Sequence, residues 1–192
     1  MTALDLSTAL ALTALGLLML NMCFGIVLTV PKSQPSQFLF SKHLPVLKLH
    51  NWTAYTALVL AMGHMLSLLF VEERIYSVVD ILLPFTSEDS FQPIRASLGA
   101  TGFYALLVVI ITSYFRKQMK RNVWKKIHFL SYGVAVSISF HGLFMDTTLK
   151  GKDIDWIDVE KIMSEACILL LIALVAFRLK ERKAPFKSAG KA

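Results

Sequence analysis

Residues 49–71 read LHNWTAYTALVLAMGHMLSLLFV, and residues 127–145 read IHFLSYGVAVSISFHGLFM. Both are apolar over a length that crosses a bilayer, because a spanning helix needs roughly 17–25 such residues. Each also carries two histidines, His50 and His64 in the first and His128 and His141 in the second. An ionisable side chain inside a span is costly and marks a functional position by default. Three further apolar runs surround these two, at about Leu4–Val30, Leu98–Phe115 and Ile162–Phe177. The last is marginal in length, and Glu165 interrupts its start. The first does not read as a cleavable signal: no Lys or Arg precedes it, it is too long, and no A-x-A site follows.

Composition agrees with a bilayer protein. Of the 192 residues, 55% are apolar and 17% charged, where a soluble domain carries about 45–50% and about 25%. Mean hydropathy is +0.59. A disordered chain is excluded, and a soluble enzyme with a charged surface does not fit. The net charge of +7 argues for no nucleic-acid partner, since the basic residues share a surface with lipid. Cys23 and Cys167 both sit in apolar runs, without CxxC or CxxCH. They read as small buried hydrophobes, with neither a disulfide framework nor covalent haem attachment.

The placement of charge sets the expected orientation. Lys32, Lys42 and Lys48 lie between runs one and two. Arg116, Lys117, Lys120, Arg121, Lys125 and Lys126 lie between runs three and four, and six more basic residues follow run five. That is 15 of the 20 basic residues on one side, with Glu181 the only acid there. The positive-inside rule makes this face cytoplasmic. The expectation is an all-α polytopic transmembrane bundle of about five spans, N-terminus outside and C-terminus cytoplasmic, in a bacterial cytoplasmic membrane. Ile75, Val78, Val79, Ile81, Leu82 and Leu83 predict a short outer surface helix ended by Pro84. It either caps the bundle or covers a site. The tail Arg178–Ala192 reads as a solvated orientation signal within reach of anionic lipid. His43, beside Lys42 and Pro45, reads as a solvated loop residue.

Runs two and four cross in the same direction, so their histidines compare by depth. His50 and His128 each stand at the cytoplasmic start. His64 is fourteen residues on and about 21 Å higher, and His141 is thirteen residues on and about 19.5 Å higher. Two His–His pairs at matched depths result: His50 with His128 on the inner side, His64 with His141 on the outer. Haem iron has two axial positions, and one imidazole on each side fills both, leaving a low-spin electron carrier. Without CxxCH the group is haem b, held non-covalently. Zinc fits poorly, because it wants three or four protein ligands. A proton relay would not require matched depths. Histidines that only hydrogen-bond between helices would not explain two matched pairs. One geometric problem stands: at about 100° per residue, thirteen residues fall about 140° short of four turns. Helix four is therefore expected to be bent, locally rewound or packed by different faces, with Gly133, Ser131, Ser137 and Ser139 as the weak points.

The spacing of fourteen then thirteen resembles the ferric reductase-like transmembrane domain of ferric reductases and NADPH oxidases. The stretch Arg121–Gly142, RNVWKKIHFLSYGVAVSISFHG, is similar to that family's W-x-x-x-H signature with a second His thirteen later. DILLPF at Asp80–Phe85 and the helix GFYALLVVIITSYF are also similar. The resemblance covers about residues 45–146. It implies that His50 and His128 ligate an inner haem and His64 and His141 an outer one. No G-x-G-x-x-G occurs, and no flavin or NAD(P)H domain is expected in these 192 residues. Five spans are visible where many members have six. The chain reads as one domain, 1–192, with a basic tail from 178.

The leading function is transmembrane electron transfer, as the membrane subunit of an oxidoreductase. A cytoplasmic flavoprotein or a membrane quinol would donate, and an acceptor outside would receive. The basic inner face would dock an acidic reductase. Lys125, Lys126 or Arg121 would pair with inner haem propionates, and Arg74 or Arg95 with outer ones. Trp124 reads as an interface anchor rather than an electron relay. The alternatives are a non-catalytic haem-containing anchor or sensor subunit, and a transporter-like bundle without haem.

Overall fold

The computed structural model describes residues 2–29, 44–71, 77–86, 92–149 and 159–183. All regular structure among them is helical. Helix α1 spans Ala3–Val27 and opens on a capping box: Thr2 Oγ1 accepts from the Asp5 amide at 3.1 Å, and the Asp5 carboxylate accepts from the Thr2 amide at 2.8 Å. Helix α2 spans Val46–Leu68 behind Pro45, a residue that cannot continue a helix towards its own N-terminus. A short α3, Val78–Leu82, follows, and then α4, Gln92–Tyr114. After a single 3-10 turn come α5, Arg121–His128, α6, Leu130–Leu149, and α7, Val159–Lys183.

Among the described residues, four helical stretches are long and apolar enough to cross a membrane: Ala3–Val27, Ala96–Tyr114, Arg121–Met145 and Lys161–Leu179. The chain is an integral membrane protein. Two expectations are revised. The run beginning at Ile162, marginal in the sequence, lies in a helix of 25 residues. Helix α2 matches a span in length at 23 residues, but His50, Asn51, Thr53, Thr56, His64 and Ser67 make it too polar to count with the other four. Four of its polar residues, His50, Thr53, His64 and Ser67, are at least half-buried and hydrogen-bonded, whereas Asn51 and Thr56 are exposed. The Thr53 hydroxyl, for example, returns to the Leu49 carbonyl at 2.8 Å.

Packing places α1 at the centre. Its length lies along α2, and it also meets α7 and α6, while α4 packs along α6. Leu15, Met19 and Met22 of α1 are buried with Ala135 of α6 and Cys167 and Leu171 of α7. Leu18, Ala57, Leu106 and Val134 join α1, α2, α4 and α6 in a second cluster. Lipid offers no hydrophobic drive to association, so close approach through small residues matters more than apolar area. Between α2 and α6 packing is sparse among the described residues. That gap is where the histidines lie.

A short helix forms at Val78–Leu82, within the stretch where the sequence predicts one. In α3 the Ser77 hydroxyl accepts from the Asp80 amide and the Asp80 carboxylate accepts from the Ser77 amide. The Ser77 hydroxyl also donates to the Asp80 carboxylate at 2.7 Å, and this bond, with the one from the Ser77 amide, holds the Asp80 carboxyl below its ordinary range, so the cap's contribution is present above that range and is lost as pH falls through the lowered value. Val78, Val79, Leu82 and Leu83 are exposed, as a membrane-surface helix requires. Tyr104 ties α3 to α4 by donating to the Leu82 carbonyl at 2.7 Å. Phe85 follows with φ of 67°, a left-handed conformation that costs an aromatic residue roughly 1–2 kcal/mol. Its amide is held by Ser97 Oγ at 2.7 Å. Ile75 and His43 lie outside the described residues, as does the tail beyond 183.

Candidate cofactor site: two histidine pairs

The structure brings the four span histidines together in the expected pairs. The rings of His50 and His128 have centroids 6.2 Å apart with planes at 64°. Those of His64 and His141 are 6.4 Å apart at 70°. An imidazole nitrogen bonds a transition metal at about 2.0–2.1 Å and lies roughly 1.1 Å from its own ring centre, so two imidazoles on opposite sides of one metal place their centroids about 6.3 Å apart. Among the described residues no group of three or more His, Cys, Asp or Glu gathers. The arrangement is of pairs, suited to a group with two open axial positions.

In three of the four histidines Nδ1 has a polar partner. His50 Nδ1 meets the Asn21 carbonyl at 3.0 Å. His64 Nδ1 meets the Ser7 carbonyl at 3.0 Å and Ser7 Oγ at 2.8 Å. His128 Nδ1 is 3.2 Å from Ser113 Oγ. Carbonyl and hydroxyl partners of this kind fix ring orientation in metal-ligating histidines and leave Nε2 for the metal.

A cavity opens beside the His64–His141 pair. It has about 810 Å³, counting its open mouth, and runs between α1, α2, α4 and α6, with His64 and His141 in its wall. Small residues make the room: Ala11, Ala14, Ala61, Gly99 and Ala100 line it. Gly99 lies against the His141 ring so closely that a Cβ there would meet Cε1 at 2.7 Å. Gly25 does the same more loosely for His50, at 3.3 Å. Asp80 and Ile81 of α3 also line this cavity, so the outer segment covers the site. The pairs, the engaged Nδ1 atoms and the glycine cradles together fit a haem between each pair.

The thirteen-residue interval is accommodated where the helix breaks. The break falls at Phe129, between α5 and α6, where the Tyr132 amide bonds to the Phe129 carbonyl in a tightened i to i+3 turn of 3.2 Å. Such a turn winds about 20° per residue faster than an α-helix, which recovers part of the shortfall. The break is therefore upstream of the glycine and serines that the sequence singled out. A Cβ on Gly133 would meet nothing within 4 Å. Ser137 instead donates across to the Leu98 carbonyl at 2.7 Å.

Two residues play parts the sequence reading missed. Trp124, half-buried, stacks on His128 with centroids 5.0 Å apart and planes at 27°, and its indole N–H reaches Ser113 Oγ at 3.5 Å. It packs on the His128 ring. Arg178 of α7, counted in the sequence as a tail charge, donates to Tyr132 Oη and lies over the Phe129 and Tyr132 rings at 5.1 and 5.6 Å. It is the half-buried cation beside the helix break, whereas Arg121, Lys125 and Lys126 are exposed. Arg74 and the Arg95 side chain lie outside the described residues.

A family model described as "Ferric reductase like transmembrane component" matches residues 9–139, more than half of the chain. The chain belongs to the ferric reductase-like transmembrane family. The match begins within α1, some thirty-five residues before the stretch on which the resemblance was first seen, so α1 is part of the family's core. Searches of curated proteins and of solved structures returned no match. Membership together with the helical bundle gives this protein a membrane electron-transfer role, as a component associated with oxidoreduction.

Proposed function

We propose that this protein carries electrons across the membrane through two non-covalent b haems, one held by His50 and His128 and the other by His64 and His141. The observation that carries this reading is the equal spacing of the two ring pairs, 6.2 and 6.4 Å, at the separation of two axial imidazoles. When bound, haem supplies a one-electron iron couple in each layer. The chain's own residues orient the imidazoles, keep the layers about 20 Å apart by helix rise and exclude water with apolar walls. Trp124 and Arg178 pack beside the inner pair, Asp80 and Ile81 beside the outer. The inner layer takes electrons from a separate flavoprotein or a membrane quinol, and the outer layer gives them to an acceptor outside. The exposed basic segment 116–126 suits an acidic donor protein.

The test is transfer through a sealed vesicle. With the purified protein in liposomes, dithionite trapped inside should reduce ferricyanide outside, at a rate well above protein-free vesicles. Haem that is reduced but never reoxidised from the far side would instead indicate a structural or sensory haem.

The orientation is part of the same proposal, N-terminus outside and the basic face cytoplasmic. A C-terminal alkaline phosphatase fusion in a bacterial host should be inactive, and the matching green fluorescent protein fusion should fluoresce. The opposite pair of results would overturn the placement of inner and outer layers.

A further inference from the structure

The partners of the two α2 histidines repeat. At one level His50 Nδ1 donates to the Asn21 carbonyl, and the Asn21 side-chain amide returns a bond to the His50 carbonyl and another, 2.9 Å, to Thr53 Oγ1. At the other level His64 Nδ1 donates to the Ser7 carbonyl, and the Ser7 hydroxyl is directed at the His64 carbonyl at 3.4 Å. In both, one α1 residue accepts from the ring through its backbone and bonds the histidine's own carbonyl through its side chain. The residue three beyond each histidine completes the pattern: Thr53 Oγ1 donates to the His50 carbonyl at 3.1 Å and Ser67 Oγ to the His64 carbonyl at 2.7 Å.

The spacing on the two helices is the same. Ser7 and Asn21 are fourteen residues apart, as are His50 and His64. The helices run antiparallel, so 7 meets 64 and 21 meets 50. Fourteen is two heptads, the interval at which helices wound about each other present the same face again.

A backbone carbonyl only accepts, so the His50 ring carries its proton on Nδ1 and leaves Nε2 as a bare lone pair. His64 Nδ1 meets both the Ser7 carbonyl at 3.0 Å and the Ser7 hydroxyl at 2.8 Å, and its donation to the carbonyl gives the same tautomer. His128 is held differently: Ser113 is a hydroxyl, which accepts or donates and imposes no tautomer. We propose that Ser7 and Asn21 are positioning residues that lock the two α2 histidines in the metal-ready tautomer, and that each tunes the potential of its own layer alone. The tuning rests on the proposed haem ligation; the tautomer does not. Hydrogen bonding at Nδ1 makes the imidazole a stronger donor and so favours the oxidised metal. Weakening a latch therefore raises the potential of one layer.

The test uses the intact purified protein. In redox titrations followed at the haem absorption bands, Ser7→Ala should raise one component and Asn21→Leu the other, with Ser7→Thr restoring the first. Thr53→Val, which removes only one bond of the Asn21 amide, reports on the same layer if Asn21→Leu does not accumulate. In parallel, ¹⁵N-histidine spectra of the reduced protein should show His50 and His64 protonated at Nδ1 and not at Nε2. Two variants that shift the same component, or potentials that do not move while both haems remain, would overturn the latch and leave the conduit standing. A protein without haem would sink the conduit, and the ring tautomers would then decide the latch by themselves. An Nε2–H signal from either histidine would refute it.

Discussion

Replacing His64 with alanine should halve the haem content and leave the inner layer reducible. The substitution takes one of two axial ligands from the outer pair and opens an apolar void in the wall of the outer cavity. The remaining His141 would hold iron by one bond, giving haem loss or a high-spin signal. His50 and His128 stand about 20 Å away by helix rise, beyond the range at which substitutions couple directly. His64→Ala with His141→Ala should therefore match either single variant, since all three lose the same group. His64→Ala with His128→Ala should lose both haems. Transfer across vesicles should fall to the protein-free rate in every one of these variants, because the path is broken wherever a layer is missing. Haem quantification together with low-temperature spectra reads the outcome. If His64 and His128 behaved as a pair, the layer assignment would be wrong.

Gly99→Ala should remove the outer haem with little loss of fold. The added Cβ would stand 2.7 Å from Cε1, 2.8 Å from Nδ1 and 2.9 Å from Nε2 of His141. No real Cβ sits so close to three ring atoms, so the ring must move. It is the far end of a side chain with two torsions, so it can swing aside without a shift of the backbone. The cost falls on ligation, which tolerates only about 0.5 Å and 10–20° of misplacement. Gly102→Ala is the contrast. Its Cβ would meet Ile138 Cγ1 at 2.8 Å, which is overpacking of an apolar contact worth about 1–3 kcal/mol, and it touches no histidine. Thermal melts and haem content of the two variants should separate cleanly: Gly99→Ala loses haem and keeps its melting temperature, and Gly102→Ala does the reverse. Two full haems in Gly99→Ala would mean that the His141 ring is not where ligation needs it.

The pairing was legible because depth along a helix follows from counting residues, and the charge asymmetry says which helices run the same way. The interval of thirteen also announced that helix four must be distorted. Where it is distorted was not legible. Gly133 and the serines are locally permissive, but the break falls at Phe129, where Arg178 from a distant part of the chain stacks on Phe129 and Tyr132. That contact is tertiary, and no local pattern encodes it. The part of α1 was missed for a different reason. Its apolar run satisfied the expectation of a span, and its few polar residues drew no notice. Ser7 and Asn21 repeat the histidine interval of fourteen, a signal that was available in the sequence.

The central claim, two haems in two histidine layers, is tested most directly by a pyridine haemochrome assay against protein concentration on the purified chain. The account predicts two b-type haems per chain, both low-spin. One haem per chain with all four histidines intact, or none, would contradict it.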